Sequence, residues 1–359
     1  MQDPGTYVPG VFTSKADCID CPAGYACAGG PSQPAICLPG NIAPLSRPTA
    51  DRAQCAKCGA GTFQEAEGAT ACDTCTAGSY CKQGASAALP CLSGSYSSAS
   101  GLGEASSCTD CPKGSACSTG STAHVLCAPG TFAASDKAET CTNCPAGTYQ
   151  DAPGATACKQ CTAGNFCALG AAAALPCLAG TYSNTPGLIA ASSCTDCPKG
   201  SACSTGSTAH DLCDPGTFSA AIKAEKCTDC PGGTYQGASG KTACDACIAG
   251  YYCATGSSAA LPCNAGYFST STSLSDASQC TQCPKGSYCV SGATAPSACS
   301  VANAAPNLGM ALCDICLEGT YQDEQGGSAC KTCPSGFFCP YGSAAPIPAS
   351  CVRPSGSNR

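Results

Sequence analysis

The stretch that decides the fold of this chain runs from residue 141 to residue 167 and reads CTNCPAGTYQDAPGATACKQCTAGNFC. The phrase Cys-x-x-Gly, followed by a small polar residue and an aromatic one, occurs twice in it, at Cys144 and Cys161. The glycine suits a tight turn with positive φ, and the following residues, such as Thr148 and Tyr149, favour a short strand. The stretch therefore predicts short strands that start at turns and lie between cysteines.

The same pattern recurs along the chain with a period of 86 residues, because Cys72, Cys158, Cys244 and Cys330 are evenly spaced. A fixed period of this kind is the mark of a repeat architecture. We therefore divide the chain as follows: a partial lead-in repeat at 1–17, copy 1 at 18–107, copy 2 at 108–193, copy 3 at 194–279 and an irregular copy 4 at 280–359. Copy 4 is irregular because Cys299 is followed by Ser-Val-Ala-Asn, without the Gly-Thr-Tyr phrase.

A finer repeat lies within each copy, and it places aromatic residues at one position. In copy 2 the phrase begins at Cys111, Cys127, Cys144, Cys161 and Cys177. We expect each aromatic ring to cover a disulfide and a turn as a miniature core; a ligand-binding ladder of rings is the alternative. The aromatic residues at this position are Tyr7, Phe63, Tyr80, Tyr96, Phe132, Tyr149, Phe166, Tyr182, Phe218, Tyr235, Tyr252, Phe268, Tyr288, Tyr321 and Phe338.

The composition excludes an ordinary hydrophobic core. Leu, Ile, Val and Phe are scarce, and 40 of the 359 residues are cysteine. Gly and Pro are abundant, and no stretch has helical periodicity. We therefore predict small disulfide-rich repeats: an elongated, solenoid-like rod of turns and short β-strands with little helix, in which each sub-repeat contacts only its neighbours.

This cysteine content also predicts the compartment and excludes some partners. Disulfides at such density form in oxidising surroundings, so we predict that the protein is extracellular or lies at the cell surface. A net charge of −7 with scattered basic residues argues against a nucleic-acid partner. The most apolar stretch, residues 167–180, is too short and too broken by Gly, Pro and Cys to span a bilayer, so we expect no membrane segment in this chain.

The phrase Cys144-Pro-Ala-Gly-Thr-Tyr-Gln, with Gly154 and the pair Cys158 and Cys161, resembles the cysteine-rich repeat of ephrin receptors. That repeat is similar in turn to the module of tumour-necrosis-factor receptors. The resemblance covers nearly the whole chain and implies a fold of small disulfide-stapled repeats. It implies less about function, since such modules serve receptors, adhesion proteins and protist surface coats alike.

Two disulfide schemes remain open at this point. The simpler one closes each sub-repeat on itself; the other, implied by the resemblance to tumour-necrosis-factor receptors, joins first to third and second to fourth cysteines. The local scheme leaves Cys18 and Cys351 over, so either the chain is part of a longer array or these two form an intermolecular bond. In copy 2 the local scheme gives the pairs Cys111–Cys117, Cys127–Cys141, Cys144–Cys158, Cys161–Cys167 and Cys177–Cys194.

Metal and enzyme chemistry find less support in the sequence. The spacing of Cys141, Cys144, Cys158 and Cys161 also fits a four-cysteine zinc ribbon, although zinc needs thiolates and the setting is oxidising. The only histidines, His124 and His210, are one position in successive copies, and we interpret them as solvated loop residues. We expect no catalytic residues, no cofactor and no resident metal.

The hydroxyl-rich runs 95–100, 118–122, 204–208 and 269–273 are candidates for O-linked glycans, because a surface so poor in charge needs another source of solubility. The resulting hypothesis is an extracellular structural or coat protein, a disulfide-stapled rod that associates with itself head to tail or laterally and serves as a filament subunit or segment. The alternatives are a receptor or adhesion ectodomain that binds a protein ligand, and a zinc-binding thiolate array.

Overall fold

A computed structural model of the chain describes residues 4–11, 13–44 and 49–348. The backbone divides into two compact units, one formed by Met1–Leu175 with Pro186–Ser193 and the other by Pro176–Thr185 with Cys194–Arg359. Each unit consists of β-strands of two residues that pair two by two into antiparallel hairpins. Among the described residues there is no α-helix, as the sequence predicts.

The described residues of the first unit form nineteen complete strands, which we number in chain order. They are β1 Thr6–Tyr7, β2 Ile19–Asp20, β3 Tyr25–Ala26, β4 Ala35–Ile36, β5 Asn41–Ile42, β6 Ala56–Lys57, β7 Thr62–Phe63, β8 Asp73–Thr74, β9 Ser79–Tyr80, β10 Leu89–Pro90, β11 Ser95–Tyr96, β12 Thr109–Asp110, β13 Ser115–Ala116, β14 Val125–Leu126, β15 Thr131–Phe132, β16 Thr142–Asn143, β17 Thr148–Tyr149, β18 Lys159–Gln160 and β19 Asn165–Phe166. Strand β20, Leu175–Pro176, lies where the first unit ends.

The second unit has the same construction. Its strands are β21 Thr181–Tyr182, β22 Thr195–Asp196, β23 Ser201–Ala202, β24 Asp211–Leu212, β25 Thr217–Phe218, β26 Thr228–Asp229, β27 Thr234–Tyr235, β28 Asp245–Ala246, β29 Tyr251–Tyr252, β30 Leu261–Pro262, β31 Tyr267–Phe268, β32 Thr281–Gln282, β33 Ser287–Tyr288, β34 Ser297–Ala298, β35 Asn303–Ala304, β36 Asp314–Ile315, β37 Thr320–Tyr321, β38 Lys331–Thr332, β39 Phe337–Phe338 and β40 Ile347–Pro348.

Short 3-10 helices precede a cysteine at five places in the described chain. Each is a single turn or slightly more, and none continues because a strand or a disulfide follows at once. Their bounds are Lys15–Asp17, Thr49–Ala53, Ala105–Ser107, Ala191–Ser193 and Ala277–Gln279.

Each hairpin begins as the repeated phrase predicts. Gly147 has a φ of 86°, in the region that favours glycine, and the strand β17 follows it directly. Thr148 then lies opposite Gln160, and Tyr149 opposite Lys159. A two-stranded hairpin of this length is at best marginal alone in water, so its stability must come from its disulfide and its neighbours.

Successive hairpins are joined by reciprocal backbone hydrogen bonds. In the first unit the amide of Gly94 donates to the carbonyl of Cys117 at 2.8 Å, and the amide of Gly120 donates to the carbonyl of Cys91 at 2.8 Å. In the second unit Gly233 donates to Cys253, and Gly256 to Cys230, also at 2.8 Å. Each hairpin thus satisfies backbone groups that its own strands are too short to satisfy.

Hairpins also contact their second neighbours, so the prediction that each sub-repeat touches only its neighbours was wrong. A Cβ placed on Gly114 of the β13–β14 hairpin would overlap the carbonyl oxygen of Gly154, which lies two hairpins on. Gly200 and Gly240 stand in the same relation in the second unit. The reason is that two-residue strands make each layer thin enough for alternate turns to reach each other.

Half-cystines form most of the buried interior. Apart from cysteine, the buried apolar side chains in the described part of the chain are only Val8, Ala43, Ala133, Leu274, Ala304 and Ala305. The aromatic rings of the repeated phrase are half-buried, except Phe338, which is 40% exposed. Tyr252 packs against Cys263, Cys280 and Leu274, as expected for a ring that covers a disulfide.

Copy 4 keeps the fold despite its irregular phrase. Ala302 takes the place of the turn glycine with a φ of 67°, and strand β35 follows and pairs with β36. The amide of Ala302 donates to the carbonyl of Gln322 at 2.7 Å, which is the bond that a glycine makes elsewhere. The division into four 86-residue copies and the elongated rod stay predictions.

Candidate functional site: the disulfide ladder and its repeated surface

The cysteines form a ladder of disulfides, one within each sub-repeat. The described residues hold 19 disulfides, with Cα–Cα distances from 5.5 to 6.2 Å, as is usual for this bond. In copy 2 the structure joins Cys111 to Cys117, Cys127 to Cys141, Cys144 to Cys158, Cys161 to Cys167, and Cys177 to Cys194. These are the pairs of the local scheme, and the alternating scheme does not occur among the described residues.

The disulfides are of two kinds, which differ in sequence separation and in the part of the hairpin that they constrain. Bonds between cysteines 14 to 18 residues apart, such as Cys144–Cys158, join the two sides of a hairpin. Bonds between cysteines 6 residues apart, such as Cys161–Cys167, enclose only the first strand and fix the turn. The hairpins of the second kind therefore depend more on their neighbours for the position of their second strand.

The local disulfide pairing is incompatible with a zinc ribbon in copy 2. Cys141, Cys144, Cys158 and Cys161 belong to three separate disulfides, so these sulfurs do not converge on one point as thiolates. In the described part of the chain no group of three or more His, Cys, Asp or Glu side chains is arranged to hold a metal ion.

Cys18 is the one free cysteine of the described residues, and it is partly exposed. It follows the Lys15–Asp17 turn and directly precedes β2, at the position where a hairpin with the longer kind of disulfide has its second cysteine, as Cys108 directly precedes β12. Gln2 stands in the sequence where a partner would be, and Cys351, the other candidate for an intermolecular bond, lies outside the described residues.

Contacts between surface side chains recur at the 86-residue period, as the disulfides do. The ammonium of Lys137 lies 3.3 Å from a carboxylate oxygen of Asp110, and Lys223 lies 3.3 Å from Asp196, one period later. Both lysines have a φ of 64°, because they occupy a loop position that is glycine in most hairpins. These carboxylates are therefore held in surface ion pairs.

The two histidines repeat in the same manner. His124 is exposed and meets the ring of Tyr96 edge-on, with the centroids 5.4 Å apart and the planes at 63°. His210 and Tyr182 have the same distance and angle. The histidines are exposed, as expected of loop residues, but each also packs on an aromatic ring of the preceding hairpin, which the sequence did not predict.

A buried glutamine, overlooked in the sequence, closes three of the hairpin loops. The side chain of Gln150 donates to the carbonyl of Ala157 at 2.7 Å and accepts from the amide of Ala152 at 3.0 Å. Gln236 and Gln322 repeat this arrangement. The signal was present in the phrase Gly-Thr-Tyr-Gln, whose glutamine we had not assigned a role.

Two kinds of hollow lie on the surface. One, of about 510 Å³, lies beside the Ala105–Ser107 turn and is lined by Leu92, Asp110 and Lys137. A smaller hollow lies beside the Ala277–Gln279 turn and is lined by Asn264, Tyr267 and Cys280. A second kind, of about 300 Å³, occurs in copy 4 between Ala304 and Leu317. The first kind belongs to the repeated surface, and the second falls in the irregular part of the chain.

Comparison with known families agrees with the geometry. Residues 130–172, 216–249 and 305–346 match the family described as tyrosine-protein kinase ephrin type A/B receptor-like. Comparison with curated proteins finds no match. No helix among the described residues is long and apolar enough to cross a membrane. The chain is a cysteine-rich repeat array, three segments of which are similar to that family, and it has the disulfide content of an extracellular or secreted protein.

Proposed function

We propose that this chain is an extracellular structural protein without catalytic activity, a component of a surface coat or filament that associates with itself. The observation that supports this most is the repetition of surface contacts at the 86-residue period, with equal distances for the two Lys–Asp pairs and equal geometry for the two His–Tyr pairs. A surface that presents the same groups at regular intervals suits lattice contacts with identical partners.

Cys18 supplies the covalent part of this proposal. The hairpin of β1 and β2 has the same antiparallel pairing as the others, with Thr6 opposite Asp20, yet its second cysteine lacks a disulfide partner in the described residues. Cys351 of another molecule would complete this hairpin, and repeated head-to-tail bonding of this kind produces an open chain of molecules.

The hydroxyl-rich loops support O-linked glycosylation. Thr270, Ser271, Thr272 and Ser273 are all exposed, while Ser269, which begins that run, is buried and bonded to the backbone of Ser271. We expect sugars at the exposed positions of the four runs and not at Ser97 or Ser269. Intact-mass measurement before and after removal of O-glycans tests this.

Electron microscopy and sedimentation of the purified, unreduced chain test the proposed function. We expect multimers joined by disulfides, which on non-reducing gels shift to the single-chain mass after reduction. The variant Cys18→Ser should lose the covalent multimers. A wild-type chain that remains monomeric at every concentration, with no lateral or end-to-end contact in images, would refute the structural role.

A receptor or adhesion ectodomain is the second candidate, and the family match favours it. The matched repeats are described as ephrin type A/B receptor-like, and such modules can present a side surface to a protein ligand. The two candidates differ in what they bind: the ectodomain would bind a different protein with a defined ratio, and the structural protein would bind itself.

A further inference from the structure

The disulfide ladder leaves two kinds of run that no described disulfide encloses. One is the pair of residues between adjacent disulfides, such as Lys159 and Gln160. The other, which we call a joint, follows a short disulfide: residues 82–90 connect the Cys75–Cys81 disulfide to Cys91. A cut in either run divides the chain, whereas a cut between the two cysteines of one disulfide leaves both parts bonded. The joints between described disulfides are 28–36, 82–90, 118–126, 168–176, 204–212, 254–262 and 290–298.

Lysine and arginine are almost absent from these joints. Lys82 is the only one that any of them contains, and the corresponding residues of copies 2 and 3 are Ala168 and Ala254. Most of the other described basic residues lie where cleavage leaves the array joined. Those between the two cysteines of one disulfide are Arg52, Lys113, Lys137, Lys199, Lys223, Lys226, Lys241 and Lys285.

The remaining described lysines are poorly placed to divide the array. Lys57, Lys159 and Lys331 lie in strands β6, β18 and β38, in the two-residue runs between disulfides. Each has a bonded cysteine within two residues on both sides, so its backbone cannot extend along the groove of a protease. Lys15 also lies outside the described disulfide loops, but a cut after it removes only the short segment 1–15.

The joint 82–90 is exposed and lightly held. None of its residues is buried, Lys82 and Gln83 are exposed, and Leu89 is 46% exposed. The amide of Ala85 donates to the carbonyl of Lys82 at 3.0 Å, so the bond after Lys82 lies in a turn. Pro90 has no amide hydrogen to add to the pairing of β10 with β9. A segment without a disulfide or a buried side chain opens at low cost in free energy, and proteases cleave such open states.

We propose that the bond between Lys82 and Gln83 is a processing site for a trypsin-like protease, which requires one basic residue directly before the cut. The reaction is a hydrolysis: water adds across the peptide bond and leaves a carboxylate on Lys82 and an amine on Gln83. Among the described residues no disulfide joins a cysteine before this bond to one after it, so the cut divides the chain into 1–82 and 83–359.

Cleavage at Lys82 would also take apart the multimers proposed above. In a chain of molecules bonded through Cys18 and Cys351, residues 83–359 of one molecule stay attached to residues 1–82 of the next. One cut in each molecule would therefore release units of single-chain mass without any reduction. This consequence rests on the proposed function, whereas the cleavage itself does not.

Limited digestion of the folded Cys18→Ser chain with trypsin tests the inference, with the products separated in denaturant without reduction. The Cys18→Ser background ensures that no Cys18–Cys351 bond holds the two parts together. We expect the product 83–359, identified by its mass, while cuts inside disulfide loops separate fragments only after reduction. In the variant Lys82→Ala this product should be lost.

Ala168→Lys is the matched gain-of-site variant, because Ala168 is exposed and has the position of Lys82 in copy 2. It should add a product that begins at residue 169. Lys113→Ala, which removes a lysine from the Cys111–Cys117 loop, should leave the unreduced products unchanged.

Three results overturn the inference: an unreduced chain that stays whole although reduction shows cuts elsewhere, a product 83–359 that persists in Lys82→Ala, and an Ala168→Lys chain that resists cleavage at the new lysine. Digestion of wild-type multimers separates this inference from the proposed function. If the Cys18→Ser chain is divided at Lys82 but the multimers do not fall to single-chain mass, the inference holds and the head-to-tail bonding fails.

Discussion

Single glycines set the spacing between alternate hairpins. Gly114 has a φ of 76°, and its missing Cβ leaves room for the carbonyl of Gly154. Both the backbone angle and the space exclude a side chain. Ala302, by contrast, has a Cβ and a positive φ of 67°. Its backbone is therefore strained in a way that a glycine at the same position would not be.

Substitution at these two positions should have opposite effects. We expect Gly114→Ala to destabilise the surrounding hairpins by about 1–2 kcal/mol or more, from the positive φ and the overlap with the Gly154 carbonyl. Ala302→Gly should be neutral or stabilise by up to about 1 kcal/mol, because relief of the φ strain exceeds the added unfolded-chain entropy. Native-state hydrogen exchange of the nearby amides measures both, and equal losses in the two variants would contradict the argument.

The Lys159–Asp151 pair gives a residue-scale prediction for pH. The ammonium of Lys159 donates to Asp151 at 2.6 Å, and this hydrogen bond holds the pKa of Asp151 below its ordinary value of 3.8. A carboxyl group whose pKa is lower in the folded than in the unfolded chain stabilises the folded state at pH values above its unfolded pKa. That stabilisation is lost as the pH falls through the folded pKa. We expect Lys159→Met to raise the pKa of Asp151, measured by carbon NMR.

Asp323 supplies the control for that titration. Its pKa is also lowered, by the hydrogen bond from Lys331, and Lys159→Met leaves this second pair intact. The pKa of Asp323 should therefore not move. Because both pairs are exposed, we expect little change in overall stability; a large loss of stability would mean that Lys159 acts through the ring of Tyr149, which lies 5.9 Å from its ammonium.

At the scale of the element, the stability of each hairpin depends on its own disulfide and on its first and second neighbours on each side. The β17–β18 hairpin has four residues in strands, the Cys144–Cys158 bond, the Gln150 bridge, and hydrogen bonds to its neighbours. Little apolar surface is available to replace any of these. Damage to one hairpin should therefore spread over a short and definite distance.

Removal of one disulfide tests that distance. For the double variant Cys144→Ala and Cys158→Ala we expect a loss of about 3 kcal/mol in the free energy of local opening, the usual value for a loop of this length. Hydrogen exchange should quicken in β13–β19, which covers the first and second neighbours within the first unit. Amides of β27–β28, the corresponding hairpin of copy 3, serve as the control; faster exchange there would show that cooperativity extends further than the contacts do.

The whole molecule offers a chemical count of the cysteines. The described residues hold 19 disulfides, which use every described cysteine except Cys18, and the fortieth cysteine, Cys351, lies outside the described residues. Titration of the unreduced, denatured chain should therefore find at most two thiols, and none if these two are bonded to each other or between molecules. Many free thiols would show that the ladder does not form.

The predicted rod is also a property of the whole molecule. A compact chain of 359 residues would have a radius of gyration of about 21 Å. We expect small-angle scattering of the Cys18→Ser variant to give a clearly larger value. A value near that of a compact chain would rule out the rod, while leaving the hairpins and their disulfides untouched.

Much of the local structure followed from the sequence alone. Turn glycines such as Gly147, β-prone residues such as Tyr149 and the spacing of Cys144 and Cys158 act within some fifteen residues, where backbone geometry leaves few choices. Because these interactions act within some fifteen residues, pairing of cysteines inside one sub-repeat was the simpler disulfide scheme. For the same reason the phrase around Cys144 was sufficient to show the resemblance to a known repeat.

Only the tertiary structure decided what the hairpins do to one another. The contact of Gly114 with Gly154, the packing of His124 on Tyr96 and the hollow beside Ala304 depend on how far one hairpin is rotated and displaced from the next. Cysteine spacing carries no information on that rotation, because a disulfide within one hairpin constrains that hairpin alone. The rotation is set by hydrogen bonds between backbone groups, which every residue possesses and which therefore leave no signature in the order of side chains.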